Sequence, residues 1–147
     1  MARSPSKRPT DAELEILDVL WELGPATVRE VHDALSARPG SRGSGYTTVL
    51  KHMQIMTDKG LLERDADVRP QQYTAVKTRG HTQRQLLGQL VDRVFSGSAG
   101  SLVLAALAAR KATADERQAI RELLDEMQDE SRDGEAEPRD DALEDDA

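Results

Sequence analysis

The stretch Gly45-Tyr46-Thr47-Thr48-Val49-Leu50-Lys51-His52-Met53, running on to Lys59-Gly60-Leu61-Leu62, constrains this chain more than any other segment. Apolar residues recur at helical spacing through Tyr46, Val49, Leu50, Met53 and Met56. Steps of about 100° put Thr47, Thr48, Lys51, Ile55 and Asp58 on the opposite side. After Gly60 the runs Leu61–Asp65 and Gln71–Lys77 have strand character, joined by a polar turn containing Arg69-Pro70. A short amphipathic helix followed at once by a hairpin is the order needed to lay a helix in the DNA major groove with a β-wing beside it.

Two helices are predicted ahead of it. Thr10-Asp11-Ala12-Glu13 has the capping-box pattern, a hydroxyl followed three residues later by Glu. Leu14, Leu17, Leu20 and Trp21 follow at helical spacing, with Val19 slightly off the stripe, and Gly24-Pro25 ends the segment. Thr27-Val28-Arg29-Glu30 repeats the capping pattern, and Val28, Val31, Ala34 and Leu35 form a second stripe that stops before Pro39-Gly40. Three helices and a hairpin in this order make a winged helix-turn-helix. The expected fold class is mainly α with a small β-hairpin wing, followed by further helices.

The second half carries Leu86, Leu87, Leu90, Val91, Val94 and Phe95 over 81–95, then a nearly all-apolar run, Leu102, Val103, Leu104, Ala105, Ala106 and Leu107. Thr113-Ala114-Asp115-Glu116 is a third capping box, opening a helix with Ile120, Leu123, Leu124 and Met127. Three such helices form no large core alone, so a second copy of the chain is the natural cover and a symmetric homodimer the expected assembly, the alternative being that the segment packs on its own N-terminal domain. Leu86, Leu90, Phe95, Leu102, Leu104, Leu107, Ile120 and Leu124 are the candidate dimer residues. The expected division is a flexible N-terminus at 1–9, a winged helix at 10–78, a helical dimerisation domain at 79–130 and a disordered acidic tail at 131–147.

The formal charge of −7 looks wrong for a nucleic-acid binder until it is located. Residues 1–80 hold 12 Lys/Arg against 11 Asp/Glu, whereas 131–147 hold 2 against 8, so the acidity is concentrated in the tail. Local charge, not overall charge, therefore decides. The absence of cysteine removes disulfides and thiolate chemistry and fits a reducing compartment. With no signal-like apolar segment at the start and no run long enough to span a bilayer, the expectation is a cytoplasmic protein without a membrane partner.

Enzymatic chemistry finds no support. His32, His52 and His81 are isolated, and Gly40-Ser41-Arg42-Gly43-Ser44-Gly45 lacks the Lys-Ser/Thr pair of a phosphate loop. No metal and no cofactor are expected. DNA binding does find a mechanism. Ser44 or a neighbour would cap the third helix, Thr47 and Thr48 would meet bases or thymine methyls, and Lys51 would meet a phosphate or guanine. Arg64 and Arg69 near the wing, and Arg42 before the helix, are the other phosphate candidates.

Taken in order, Ala12–Trp21, Ala26–Val31, Tyr46–Leu50 with Lys59–Leu62, and Ser101–Leu104 resemble segments of the penicillinase-repressor family, the BlaI/MecI type of winged-helix regulators. The resemblance spans roughly residues 10–130. It implies a cytoplasmic homodimer on a palindromic operator that represses β-lactam or cell-envelope stress genes, with relief through a sensor-linked protease as partner. It also implies that Thr47, Thr48 and Lys51 read DNA. Three departures accompany it. Gln54 and Ile55 stand where the family often carries Arg, and Ala105-Ala106 aligns with the cleavable Asn-Phe pair of antibiotic-responsive members. The cysteines of the copper-responsive branch are missing, which disfavours copper sensing. The alternatives are a winged-helix regulator released by a small ligand, and a winged-helix protein-interaction module using Ile55 and the acidic tail.

Overall fold

The computed structural model describes residues 8–41 and 43–135. Eight elements follow one another: α1 (Asp11–Leu23), α2 (Val28–Ser36), α3 (Tyr46–Asp58), β1 (Leu62–Asp65), β2 (Gln72–Ala75), α4 (Arg79–Val94), α5 (Ala99–Ala109) and α6 (Ala114–Glu135). This is the mainly helical fold with a two-stranded wing that the periodicities predict. The chain forms two compact units, Met1–Leu90 and Val91–Ala147, whose boundary lies inside α4.

The capping residues start the helices as expected. Thr27 and Glu30 close a reciprocal box, each side-chain oxygen accepting from the other residue's N–H at 3.1 and 3.2 Å. Thr113 accepts from the Glu116 N–H at 3.1 Å. At α1 the box is only half made. Thr10 Oγ1 accepts from the Glu13 N–H at 3.3 Å, but the Glu13 carboxylate accepts instead from the Thr10 hydroxyl and from Lys59 Nζ, 2.6 Å away. A residue read as a local cap is thus a long-range tie from α1 to the end of α3.

Val49, Met53 and Met56 of α3 pack against Ile16, Leu17, Val19 and Leu20 of α1, Val28 and Val31 of α2, and Leu62 and Tyr73 of the wing. Val19, off the predicted stripe, is fully buried. An α1 enclosed by α2, α3 and β2 needs a wider apolar face than one stripe provides. The hairpin pairs Leu62 with Ala75 through Asp65 with Gln72, antiparallel. Ala26 adds a bridge to it, exchanging both backbone hydrogen bonds with Tyr73 at 2.8 and 3.1 Å. This anchors the base of the wing beside the start of α2. Gly60 (φ 81°) makes the turn from α3 into β1, a left-handed conformation that favours glycine.

A second tie holds α1 to the residues that follow α2 and the wing. Arg38 Nη1 lies 2.9 Å from Asp18 Oδ2, and Arg79 Nη2 lies 2.8 Å from Oδ1. Arg79 also covers Trp21, whose indole N–H donates to the Lys77 carbonyl at 3.0 Å. Hydrogen bonding from Arg38 holds the Asp18 carboxyl below the ordinary carboxylate range against some desolvation, with the Arg38 charge and Arg79 adding to it. A carboxyl with a lowered folded pKa stabilises fully above its unfolded pKa, and that stabilisation fades as pH falls through the folded value. The stability gap between wild type and Asp18→Asn should therefore be level from neutral pH to about 5 and close below about pH 4. It should stay within about 1 kcal/mol, because the carboxylate is 40% exposed. Denaturant melts across that range provide the check, and a gap widening toward acid would contradict the assignment.

In the second unit the helices are formed but cover little of each other. Every buried apolar residue among those described lies between Ile16 and Tyr73. No residue of α5 is buried, and Leu104 is 72% exposed. The apolar stripe of α6 (Ile120, Leu123, Leu124, Met127) is half-buried at Ile120 and exposed at the other three. Of the acidic tail expected to be disordered, residues 131–135 continue α6, and 136–147 lie outside the described residues. Most of the expected flexible N-terminus (1–7) also lies outside them. Among the described residues no single helix is long and apolar enough to cross a membrane.

Candidate nucleic-acid interface

Burial of Val49, Met53 and Met56 fixes which way α3 faces. Thr47, Thr48, Lys51, Gln54, Ile55 and Asp58 are all exposed. Gln54 was missing from the expected face, yet seven residues of helix return it to within about 20° of Thr47. Tyr46, expected on the core side, is 40% exposed. It sits in the first turn, ahead of the residues that reach α1.

The N-cap of α3 is Gly45, and no side chain caps the helix. Of the two expected possibilities, Ser44 or a neighbour, the cap position falls to the neighbour Gly45, without a side-chain hydrogen bond. Ser44 is exposed in the approach loop, and the first-turn N–H groups have no side-chain acceptor among the described residues. An uncapped N-terminus keeps its amides and the positive end of the helix dipole open to an anion. Arg42 lies outside the described residues.

Two sets of cations stand apart among the described residues of the N-terminal unit. Arg38, Lys59 and Arg79 are held by Asp18, Glu13 and Glu22. Lys51 on α3, Arg64 on β1 and Arg69 in the wing turn are exposed, with no ion-pair partner among the described residues. A cation already neutralised within the fold releases few counterions on DNA, whereas an unpaired one releases its full share. The second group also includes a residue not singled out from sequence. Arg29, in the first turn of α2, holds its guanidinium 5.0 Å from the centre of the Tyr46 ring. Arg29, Tyr46 and Arg69 line one cavity of about 300 Å³, between the starts of α2 and α3 and the wing. A stacked guanidinium keeps its N–H edge free while its orientation is fixed, which suits it to a phosphate. The only available signal was local: Arg29 lies two residues after the Thr27 cap, where a helix start meets a backbone.

No cluster of three His, Cys, Asp or Glu side chains with metal-binding geometry occurs among the described residues. His32 Nδ1 lies 3.1 Å from Asp33 Oδ1, beside the edge of Tyr46.

Comparison with known proteins gives the same direction. Residues 9–126 match the family described as penicillinase repressor. The transcriptional regulator BlaI of Mycobacterium tuberculosis strain CDC 1551 is 35% identical over 121 residues, which cover 80% of this chain and 83% of that protein. Its counterpart in strain H37Rv matches identically.

Proposed function

The chain belongs to the penicillinase repressor family, and on that premise we propose that it represses transcription as a homodimer bound to a palindromic operator. The family is one of transcriptional regulators, not of enzymes, and DNA is the partner it implies. The observation that carries the finer reading is the outer face of α3. Short polar residues and one unpaired lysine stand clear of the core behind an uncapped helix start, flanked by unpaired arginines of α2 and the wing. Thr47 and Thr48 read bases, Lys51 reaches a phosphate or guanine, and Arg29, Arg64 and Arg69 hold the backbone. The exposed apolar residues of α4, α5 and α6 support a second copy as their cover. β-Lactam or cell-envelope stress genes are the proposed targets, on the strength of the family.

The reading is tested by titrating the full chain against the DNA upstream of its own gene beside a scrambled duplex of equal length, at near-physiological salt. Preference for the first is expected. Equal weak binding to both would move the function to another operator or to protein interaction. Given an operator, Lys51→Ala should weaken binding about tenfold on all sequences and lower the salt slope by about one per protomer. Thr48→Ala should instead relax sequence choice with the slope unchanged. Wild-type behaviour in both variants would remove the assigned face.

A further inference from the structure

We propose that Gln54 and Ile55 set operator choice at the far end of the α3 face by reading an A·T pair, Gln54 contacting the adenine and Ile55 a thymine methyl. The inference rests on α3 being the operator-reading helix.

Both side chains are exposed on the face that carries Thr47, Thr48 and Lys51. Gln54 makes no side-chain hydrogen bond among the described residues, so its amide is uncommitted. Ile55 is a branched apolar side chain, 39% exposed beside a lysine and two threonines, and apolar surface left in water favours an apolar partner. Seven residues separate Thr47 from Gln54, about 10.5 Å along the axis, which is roughly three base pairs of B-DNA. The two pairs of residues therefore address different positions of one half-site. Lys51 lies between them.

Their chemistry selects the base pair. A glutamine amide donates to N7 and accepts from the N6 amino group of adenine in the major groove. Guanine offers O6 in place of that amino group, leaving the amide oxygen facing another acceptor. Gln54 and Ile55 sit about 100° apart, on either side of the line through Lys51. A single A·T pair presents adenine N6/N7 on one side and the thymine methyl on the other, which matches that spread. One turn further on, Asp58 continues the face. Its carboxylate is repelled by phosphates, so the base-reading surface ends at Ile55. An arginine here would bring a phosphate contact or a guanine preference; this pair brings neither charge nor salt dependence.

The test selects binding sites from random duplexes with the wild-type full chain, then alters single atoms of the selected operator. Replacing the read adenine by 7-deazaadenine should weaken wild-type binding roughly fivefold per half-site through one lost hydrogen bond. Replacing the thymine by deoxyuridine should cost roughly threefold through one lost methyl contact. Gln54→Ala should lose its sensitivity to the first change and Ile55→Ala to the second, both with an unaltered salt slope. The modified bases leave the protein untouched, so misfolding cannot imitate the result. If no A·T pair of the operator responds to either change, or both variants select the wild-type sequence, the inference is overturned. If the wild type selects no sequence at all, the failure belongs to the operator reading itself, and this inference falls with it.

Discussion

Lys59→Met is expected to destabilise the N-terminal unit by roughly 3 kcal/mol. The Lys59 and Glu13 side chains are only 8% and 4% exposed, and Lys59 Nζ sits 2.6 and 3.2 Å from the two carboxylate oxygens. Such a pair is a poor source of net stability, because desolvating both charges offsets their attraction. Removing one partner is different. It strands the Glu13 carboxylate against the core, where the uncharged Thr10 hydroxyl donates to it but does not replace the lost charge. Glu13→Met combined with Lys59→Met should therefore recover most of the loss. The fluorescence of Trp21, the single tryptophan, follows unfolding of this unit in the intact chain. Because Lys59 is the C-cap of α3, the single variant should also weaken operator binding by loosening the end of that helix. A denaturation midpoint equal to wild type for Lys59→Met would show that the pair is not buried in solution.

That pair also marks where local reading of the sequence stops. The helices were legible because Thr10, Thr27 and Thr113 announce their starts and each stripe has a single period. The wing was legible from two short strand-like runs after a glycine. What escaped was set by contacts between distant residues. Glu13 fits a capping box so well that nothing local points to a lysine 46 positions away. Ala26 lies outside any alternating run, yet it bridges Tyr73. Tyr46 left the expected core side and Gln54 joined the outer face because a helix face is bounded by what packs on it, and the spacing alone leaves edge positions open. Arg29 entered the candidate interface only when folding brought Tyr46 beneath it. The division of cations into paired and unpaired sets depends on tertiary structure in the same way.

On the proposed homodimer and palindromic operator, Leu104→Glu should leave a monomer and reduce operator affinity about 100-fold or more, with helix content kept. Leu104 is the most exposed large apolar residue of α5, at 72%, and Leu124 of α6 is 58% exposed. A glutamate at such a position costs a single chain little, because the site is already in water. In a dimer that covers α5 the same carboxylate would be buried without a partner, which costs several kcal/mol per copy. Stability of the isolated chain and assembly are thereby separated by one substitution. The loss on DNA follows from linkage. Two half-sites engaged by one dimer gain an effective concentration worth about 10²- to 10⁴-fold, and a monomer forfeits it while its contacts within a half-site stay the same. Sedimentation equilibrium should show the monomer, and binding to an isolated half-site should match wild type. Gln118→Glu, a similar change at an exposed polar position of α6, should leave the dimer intact. If Leu104→Glu sediments as a dimer and binds the full operator normally, α5 is not covered by a second copy. Its exposed leucines would then have to be met by a different partner.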